Sequence, residues 1–151
     1  MKQSRLICLI PARGGSKRIP RKNIVLFHGK PLIAWSIESS IESKIFDEVI
    51  VSTDDKEIAE ISKSFGATVP FLRPSKLSDD DAIDADVRKH FLDWSEAHNK
   101  SVDSLCYLYP TVPFFGAPLI KQCHQMLKKS NALTNPEDVA NKGFCQKTDK
   151  G

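Results

Sequence analysis

The chain has 151 residues, of which 40% are hydrophobic and 27% charged, and its formal net charge is +3. This length suits one domain with a substantial buried core. The modest net charge speaks against a protein that binds nucleic acid through its overall charge, and no apolar run approaches the length of a membrane span. The four cysteines form no CxxC pair, so we expect neither a zinc site nor a redox motif in a cytoplasmic protein.

The spacing of apolar residues predicts alternating strands and helices. Short apolar runs indicate buried strands, and apolar residues at helical spacing indicate amphipathic helices. In chain order we predict a strand at 5–10, a helix at 31–46, a strand at 47–53, a helix at 54–67, a short strand at 68–72, a helix through 87–98, a strand at 103–109 and a helix through 119–127. This order predicts an α/β fold, with a mostly parallel sheet covered by helices on both faces.

Residues at the ends of the second helix predict where it begins and stops. Asp54 and Glu57 have the spacing of a capping box, and Gly66 is typical of a residue that ends a helix. We interpret Asp54 and Asp55 as helix caps rather than metal ligands.

Beyond the last predicted helix the periodicity stops, so we assign residues 1–129 to the core and 130–151 to a poorly packed polar tail.

Positive and negative charges are separated along the chain. Every basic residue up to Lys30 precedes the first acid, Glu38, and later acids crowd into residues 79–86. The segment at 10–23, IPARGGSKRIPRKN, combines five cations with two glycines directly after the first strand. Ligands of parallel α/β sheets bind at the carboxyl ends of strands, so the loops at 11–30, 53–55 and 110–118 are the candidate site.

The basic loop has the residue types that bind phosphate. Gly14 and Gly15 permit unusual backbone angles and the close approach of a ligand, and successive amides there can form an anion-binding nest. Arginine adds bidentate contacts to phosphate oxygens. The alternative is an ordinary solvated basic loop. Neither GxxxxGK[ST] nor GxGxxG is present, which excludes a P-loop NTPase and disfavours a dinucleotide site.

Six sequence blocks in order resemble the sialic-acid-type cytidylyltransferases, and look most like the pseudaminic acid enzymes among them. The blocks are IPARGGSKRIPRKNI, GKPLIAWSIE, FDEVIVSTDDKEIAEIS, FGATVPFLRP, LSDD and YPTVPF. The resemblance implies a Rossmann-like nucleotide-diphospho-sugar transferase fold. It also implies transfer of CMP from CTP to a sialic-acid-like nine-carbon keto-sugar acid, with release of pyrophosphate and assistance by Mg²⁺.

The resemblance also assigns roles to residues. It implies nucleotide binding by Arg13, Gly14, Gly15, Ser16, Lys17, Lys22, Asn23 and Arg73. Arg13 and Lys22 would contact the triphosphate and act in catalysis, and Asn23 would bind the nucleotide or hold the loop. From the residues alone, an ion pair between Arg73 and the acidic run at 79–81 is as good an interpretation as contact with a ligand. The ligands of the metal are not identifiable.

Two departures from the family pattern bear on function. By the family pattern, Asp84 stands near a position that relatives often give to serine or threonine, and a carboxylate there would repel a triphosphate unless a metal ion bridges the two. From the resemblance we also expect the chain to be truncated, so that it covers only the N-terminal part of the family's fold. The regions that the resemblance associates with the homodimer, the sugar and the Mg²⁺ aspartates would then be missing. The alternatives are therefore a non-catalytic nucleotide-binding remnant, or a partner of an intact paralogue. A nucleic-acid binder is a third alternative, and it is disfavoured because the net charge is modest and no aromatic residue lies between the cations of the basic loop.

Overall fold

The computed structural model describes residues 5–129 and the backbone of residues 146–147. In chain order the elements are β1 (Leu6–Pro11), a 3-10 turn (Lys22–Ile24), β2 (Leu26–Phe27), β3 (Lys30–Pro31), α1 (Leu32–Ser43), β4 (Glu48–Ser52), α2 (Lys56–Ser64), a second 3-10 turn (Ser75–Leu77), α3 (Asp84–Ala97), β5 (Ser104–Tyr107), α4 (Ala117–Lys129) and β6 (Gln146–Lys147).

The main sheet has the strand order β4-β1-β5-β6. The central strand β1 runs parallel to both β4 and β5, so that Leu9 is the register partner of Ile50 on one side and of Tyr107 on the other. The short strand β6 is antiparallel to β5. Both faces of β1 are covered by helices, which explains why its sequence is an unbroken apolar run rather than an alternating one.

Alternate residues of the central strand enter two separate cores. Cys8 and Ile10 pack on one face with the apolar sides of α1, α2 and α4. Ile7 and Leu9 pack on the opposite face with α3, where Phe91 is fully buried. The prediction of a parallel sheet with helices on both faces is therefore confirmed.

The segment TVPFL, predicted as a third strand, is not a strand. Thr68 and Leu72 form isolated parallel bridges to Ile50 and Thr53 at the edge of β4, without a continuous ladder between them. Pro70 lies between the two bridges and has no amide hydrogen to donate, which is a sufficient reason for the interruption. The strands at 47–53 and 103–109 also form over shorter ranges than predicted.

The long loop after β1 contains a hairpin that the sequence analysis missed. Strands β2 and β3 pair in antiparallel fashion through a two-residue turn at His28 and Gly29. Both turn residues have positive φ, 47° and 84°, which is the backbone geometry that two-residue hairpins require. The hairpin leads directly into α1.

The predicted ends of α2 are partly correct. The residue that caps its start is Asp55, whose side chain accepts a 3.0 Å hydrogen bond from the amide of Ile58. The predicted capping residue, Asp54, is therefore wrong by one position. At the other end, Gly66 has φ +96° directly after the helix, which confirms it as the stop.

The predicted tail at 130–151 lies outside the described residues, apart from the two-residue backbone of β6. Within the described part of the chain, none of the helices is both long and apolar enough to cross a membrane.

Candidate active site: a cationic cleft at the strand ends

A cleft of about 280 Å³ opens at the carboxyl ends of β1 and β5. The basic loop after β1 forms one wall, and the residues that follow β5 form another. The third wall is the segment from Arg73 to Asp84, which the sequence analysis had not placed among the strand-end loops. The turn at 53–55 does not line the cleft, although it leaves the end of β4 nearby.

Three of the predicted cations, Arg13, Lys22 and Arg73, line the cleft, and so do Ser16 and Asn23. Arg13 follows β1 by one residue, Lys22 begins the 3-10 turn, and Arg73 is held near the end of β4. The fold thus brings together residues that are up to 60 positions apart in the chain. Their assignment to nucleotide binding and catalysis stays a prediction.

Arg73 is a buried cation that forms no salt bridge in the described part of the chain, although the charges of Asp54 and Asp84 act on it. Arg73 is only 5% exposed. Its backbone amide donates to the carbonyl of Thr53 at 2.7 Å, and its Nε atom donates to Ser78 Oγ at 3.0 Å. Burial lowers the pKa of its guanidinium. The alternative pairing with the acids at 79–81 does not form, because the Asp80 side chain contacts the basic loop instead. A buried, unpaired guanidinium at a cleft favours an anionic ligand.

Asn23 holds the basic loop from inside. Its Nδ2 donates to the carbonyl of Arg13 at 2.9 Å, and its side chain is almost fully buried. Its Oδ1 atom has no hydrogen-bond donor among the described residues. Asn23 therefore fixes the backbone of Arg13, and it retains one acceptor at the cleft.

The other predicted nest residues lie away from the cleft. Gly14 donates its amide to Asp54 Oδ1 at 2.9 Å, so this amide is already paired with a carboxylate. Neither Gly14 nor Gly15 has a positive φ, so the expectation of unusual backbone angles is wrong. Gly14 is required for a different reason: a Cβ atom there would lie 2.7 Å from Asp55 Oδ2. Lys17 is exposed and pairs with Asp80.

One acidic group at the cleft was anticipated only as a departure from the family pattern. Asp84, at the start of α3, accepts hydrogen bonds from the hydroxyls of Tyr107, at 3.0 Å, and Tyr109. Burial raises the pKa of Tyr107, and the hydrogen bond to Asp84 raises the pKa of Tyr109. Both hydroxyls therefore stay protonated as donors. The two tyrosines partly satisfy the carboxylate that would otherwise repel a phosphate. In the sequence, the alternation in YLY at the end of the strand was the available signal for this pair.

The described residues do not by themselves form a metal site. No group of three or more histidine, cysteine, aspartate and glutamate side chains within them is arranged to hold a metal ion. Of the acids at the cleft, Asp80 is engaged by Arg13 and Lys17, and Asp84 by two tyrosines.

The fold is that of solved α/β nucleotidyltransferases. The solved structure of CMP:2-keto-3-deoxy-manno-octonic acid synthetase, in complex with CTP, superposes with a TM-score of 0.68. The match has 24% sequence identity and covers 86% of this chain and 50% of the other. This similarity establishes the fold and confirms the predicted fold class.

The chain belongs to the cytidylyltransferase family, whose profile matches residues 7–144. Pseudaminic acid cytidylyltransferase from Campylobacter jejuni is 48% identical over 119 residues, which are 79% of this chain and 51% of that protein. CMP-N,N'-diacetyllegionaminic acid synthase from Legionella pneumophila is 37% identical, over 87% of this chain and 58% of that protein. The chain thus spans about half the length of these relatives, and the resemblance drawn from the six blocks is confirmed.

Proposed function

We propose that this chain carries the CTP site of an enzyme that transfers CMP to a sialic-acid-like nine-carbon keto-sugar acid and releases pyrophosphate. The observation that carries the proposal is the placement of Arg13, Lys22 and Arg73 around one cleft in a member of the cytidylyltransferase family. Cations at that position match the charge of a triphosphate.

The chemistry follows from where charge develops during the transfer. The anomeric hydroxyl of the sugar attacks the α-phosphorus of CTP, a P–O bond to the β-phosphate breaks, and pyrophosphate leaves with additional negative charge. Such a reaction needs positioning and electrostatic stabilisation more than covalent help from the protein. Arg13 and Lys22 are the residues proposed to supply that stabilisation, and the buried guanidinium of Arg73 adds a fixed positive charge.

Relatives guide the choice of sugar. The names of the Campylobacter and Legionella proteins specify pseudaminic acid and diacetyllegionaminic acid. We therefore propose an acid of this class as the acceptor, with pseudaminic acid as the first to test.

Magnesium dependence, a homodimer and a cytoplasmic location remain predictions of the resemblance. Magnesium in nucleotide enzymes commonly binds through substrate phosphates together with one or two carboxylates. The described residues contain no group of three or more histidine, cysteine, aspartate or glutamate side chains that could hold a metal ion.

A direct assay tests the proposal. The purified chain is incubated with CTP, Mg²⁺ and a panel of sialic-type sugar acids, and released pyrophosphate is measured against reactions without sugar or with ATP in place of CTP. We expect this chain alone to release little pyrophosphate, and only when both CTP and one class of sugar acid are present. Release at an ordinary enzymatic rate would contradict the non-catalytic alternative. CTP binding by calorimetry without turnover would instead support the non-catalytic nucleotide-binding alternative.

Arg13→Ala is the matching variant for the binding step. Loss of the Arg13 side chain removes a cation from the cleft, so we expect CTP binding to become undetectable by calorimetry. The control is Arg18→Ala, which removes an exposed cation of the same loop and should leave CTP binding unchanged. Equal affinity of the wild type and Arg13→Ala would contradict the proposed site. Steeply salt-dependent binding to oligonucleotides would favour the nucleic-acid alternative.

A further inference from the structure

We propose that Asp54 and Asp55, which follow β4, are positioning residues that hold the two arms of the basic loop and thereby fix Arg13 at the cleft. The basic loop is defined here as residues 12–23. Neither aspartate lines the cleft. Both contact the loop directly, and the charge of Asp54 also acts on Arg73, where it opposes the effect of burial on the pKa of the guanidinium. The consequence for nucleotide binding rests on the proposed function, whereas the effect on the loop itself does not.

The first arm is tied to β4 by its backbone and by Asp54. The amide of Ala12 donates to the carbonyl of Ser52 at 2.9 Å, and the amide of Gly14 donates to Asp54 Oδ1 at 2.9 Å. These two bonds flank Arg13 on either side. The hydrogen bond from Asn23 to the carbonyl of Arg13 adds a third restraint on the same residue.

The second arm is tied by Arg21 to the turn after β4 and to the first turn of α2. Both Nη atoms of Arg21 contact the Asp55 carboxylate, Nη2 at 3.2 Å from Oδ1, and Nη2 also pairs with Glu57. Arg21 has φ +55°, a left-handed conformation that costs free energy in a residue with a side chain. The ion pairs offset that cost at the point where the loop turns into its 3-10 helix.

The contact between the arms and the aspartates is close. A Cβ atom at position 14 would lie 2.9 Å from Asp55 Cβ, so only glycine allows the loop to approach the β4 turn this closely. Asp55 is further held by its cap on α2 and by its amide, which donates to Thr53 Oγ1 at 3.1 Å. The anchor is therefore a rigid turn, and a rigid anchor reduces the entropy that the loop loses when a ligand binds.

This arrangement separates the cations of the basic loop by role. Arg21 is neutralised by Asp55 and Glu57 away from the cleft, whereas Arg13 and Lys22 face it. Helix capping accounts for Asp55 in part, but it does not account for Asp54, whose carboxylate accepts from Gly14.

The test compares Asp54→Ala with Asp54→Asn, because asparagine retains an acceptor oxygen for the Gly14 amide and alanine does not. Limited trypsin digestion of the ligand-free protein reports loop order through cleavage after Lys17 and Arg18, which are exposed. We expect Asp54→Ala to be cleaved there about tenfold faster, the effect of losing one charge-assisted hydrogen bond. Asp54→Asn should stay within about twofold of the wild type. Glu60→Ala, which removes an exposed carboxylate of α2, is the control.

Calorimetry with CTP then measures the effect on the site. We expect an affinity about tenfold lower for Asp54→Ala and near the wild-type value for Asp54→Asn. Arg21→Ala should resemble Asp54→Ala, and Arg18→Ala the wild type.

The positioning proposal is overturned if Asp54→Ala is digested at the wild-type rate, or if Asp54→Asn is as sensitive as Asp54→Ala. A global loss of folding in Asp54→Ala would show as cleavage throughout the chain, and the Arg21→Ala digest then decides the question. Because digestion needs no nucleotide, a wild-type chain that binds no CTP contradicts the proposed function and leaves the digestion result to decide the role of Asp54.

Discussion

Arg13 and Asp80 form an ion pair across the mouth of the cleft, with 3.1 Å between Nη1 and Oδ1. The same guanidinium nitrogen donates to the carbonyl of Asp79 at 2.9 Å. The other carboxylate oxygen of Asp80 pairs with Lys17, and this contact and that with Arg13 lower the pKa of Asp80. The Asp80 carboxylate thus pairs with two cations that are predicted to bind phosphate. An incoming triphosphate therefore has to compete with Asp80 for Arg13 and Lys17.

Asp80→Asn should therefore strengthen CTP binding. Removal of the charge releases Arg13 and Lys17 for the ligand, and since the pair is exposed we expect a gain of about two- to fivefold. Calorimetry at low salt measures the gain, which added salt should reduce. Asp81→Asn, in the same exposed run, serves as the charge-matched control. Weaker binding by Asp80→Asn would show that the carboxylate supports the site rather than competing with its ligand.

Gly14→Ala should destabilise the fold, whereas Gly15→Ala should not. The new Cβ at position 14 meets Asp55 at 2.7–2.9 Å, while nothing lies within 4 Å of a Cβ at position 15. Overpacking of this kind costs about 1–3 kcal/mol in unfolding free energy. Urea unfolding of the two variants and the wild type measures the difference. Equal stabilities of the two variants would show that the loop shifts without cost.

Arg73→Met should separate stability from binding. The substitution removes one hydrogen bond to Ser78 and a buried charge that forms no salt bridge in the described chain and interacts only through space with Asp54 and Asp84, so the unfolding free energy should change by less than about 1.5 kcal/mol. CTP affinity should fall by at least about tenfold, because the fixed positive charge of the cleft is lost. Denaturant unfolding and calorimetry on the same preparation test both statements. A large loss of stability with unchanged affinity would make Arg73 a structural residue.

The ion pair of Asp55 predicts a pH dependence of stability. The hydrogen bond from Arg21 is the largest cause that lowers the pKa of Asp55 below its ordinary value of 3.8. A lowered pKa in the folded state means that the stabilisation is fully present above that ordinary value and is lost as the pH falls through the folded-state value. Asp55→Asn, which can still cap α2, should thus be less stable than the wild type by about 0.5–1 kcal/mol at neutral pH.

Urea unfolding over a pH series checks this prediction. The wild type and Asp55→Asn should converge in acid, since Asp55 is then protonated in the folded and the unfolded chain. A gap that stays constant into acid would assign the loss to packing or to the cap instead of the charge.

Much of the fold could be predicted because the signals are local. The unbroken apolar run of RLICLI identified a strand covered on both faces, and the glycine after α2 identified its end. The hairpin at His28 and Gly29 is a local feature that was nonetheless missed. Two other failures occur where partners distant in sequence decide. Whether residues 68–72 form a strand depends on the edge of β4, which only the folded sheet presents. Similarly, the cap of α2 moved to Asp55 because Asp54 is engaged by a glycine 40 residues away.

The sequence by itself determined the family, the order of the main helices and strands and the location of a cationic loop after the first strand, since these depend on residue types and short spacings. Only the tertiary structure decided how the cations of that loop are used. It turned Arg21 toward Asp55 and Lys17 toward Asp80, and it left Arg13 and Lys22 beside the buried Arg73 at the cleft. The physical reason is that charge is a property of a residue, whereas its partner is set by which strand ends the sheet brings together.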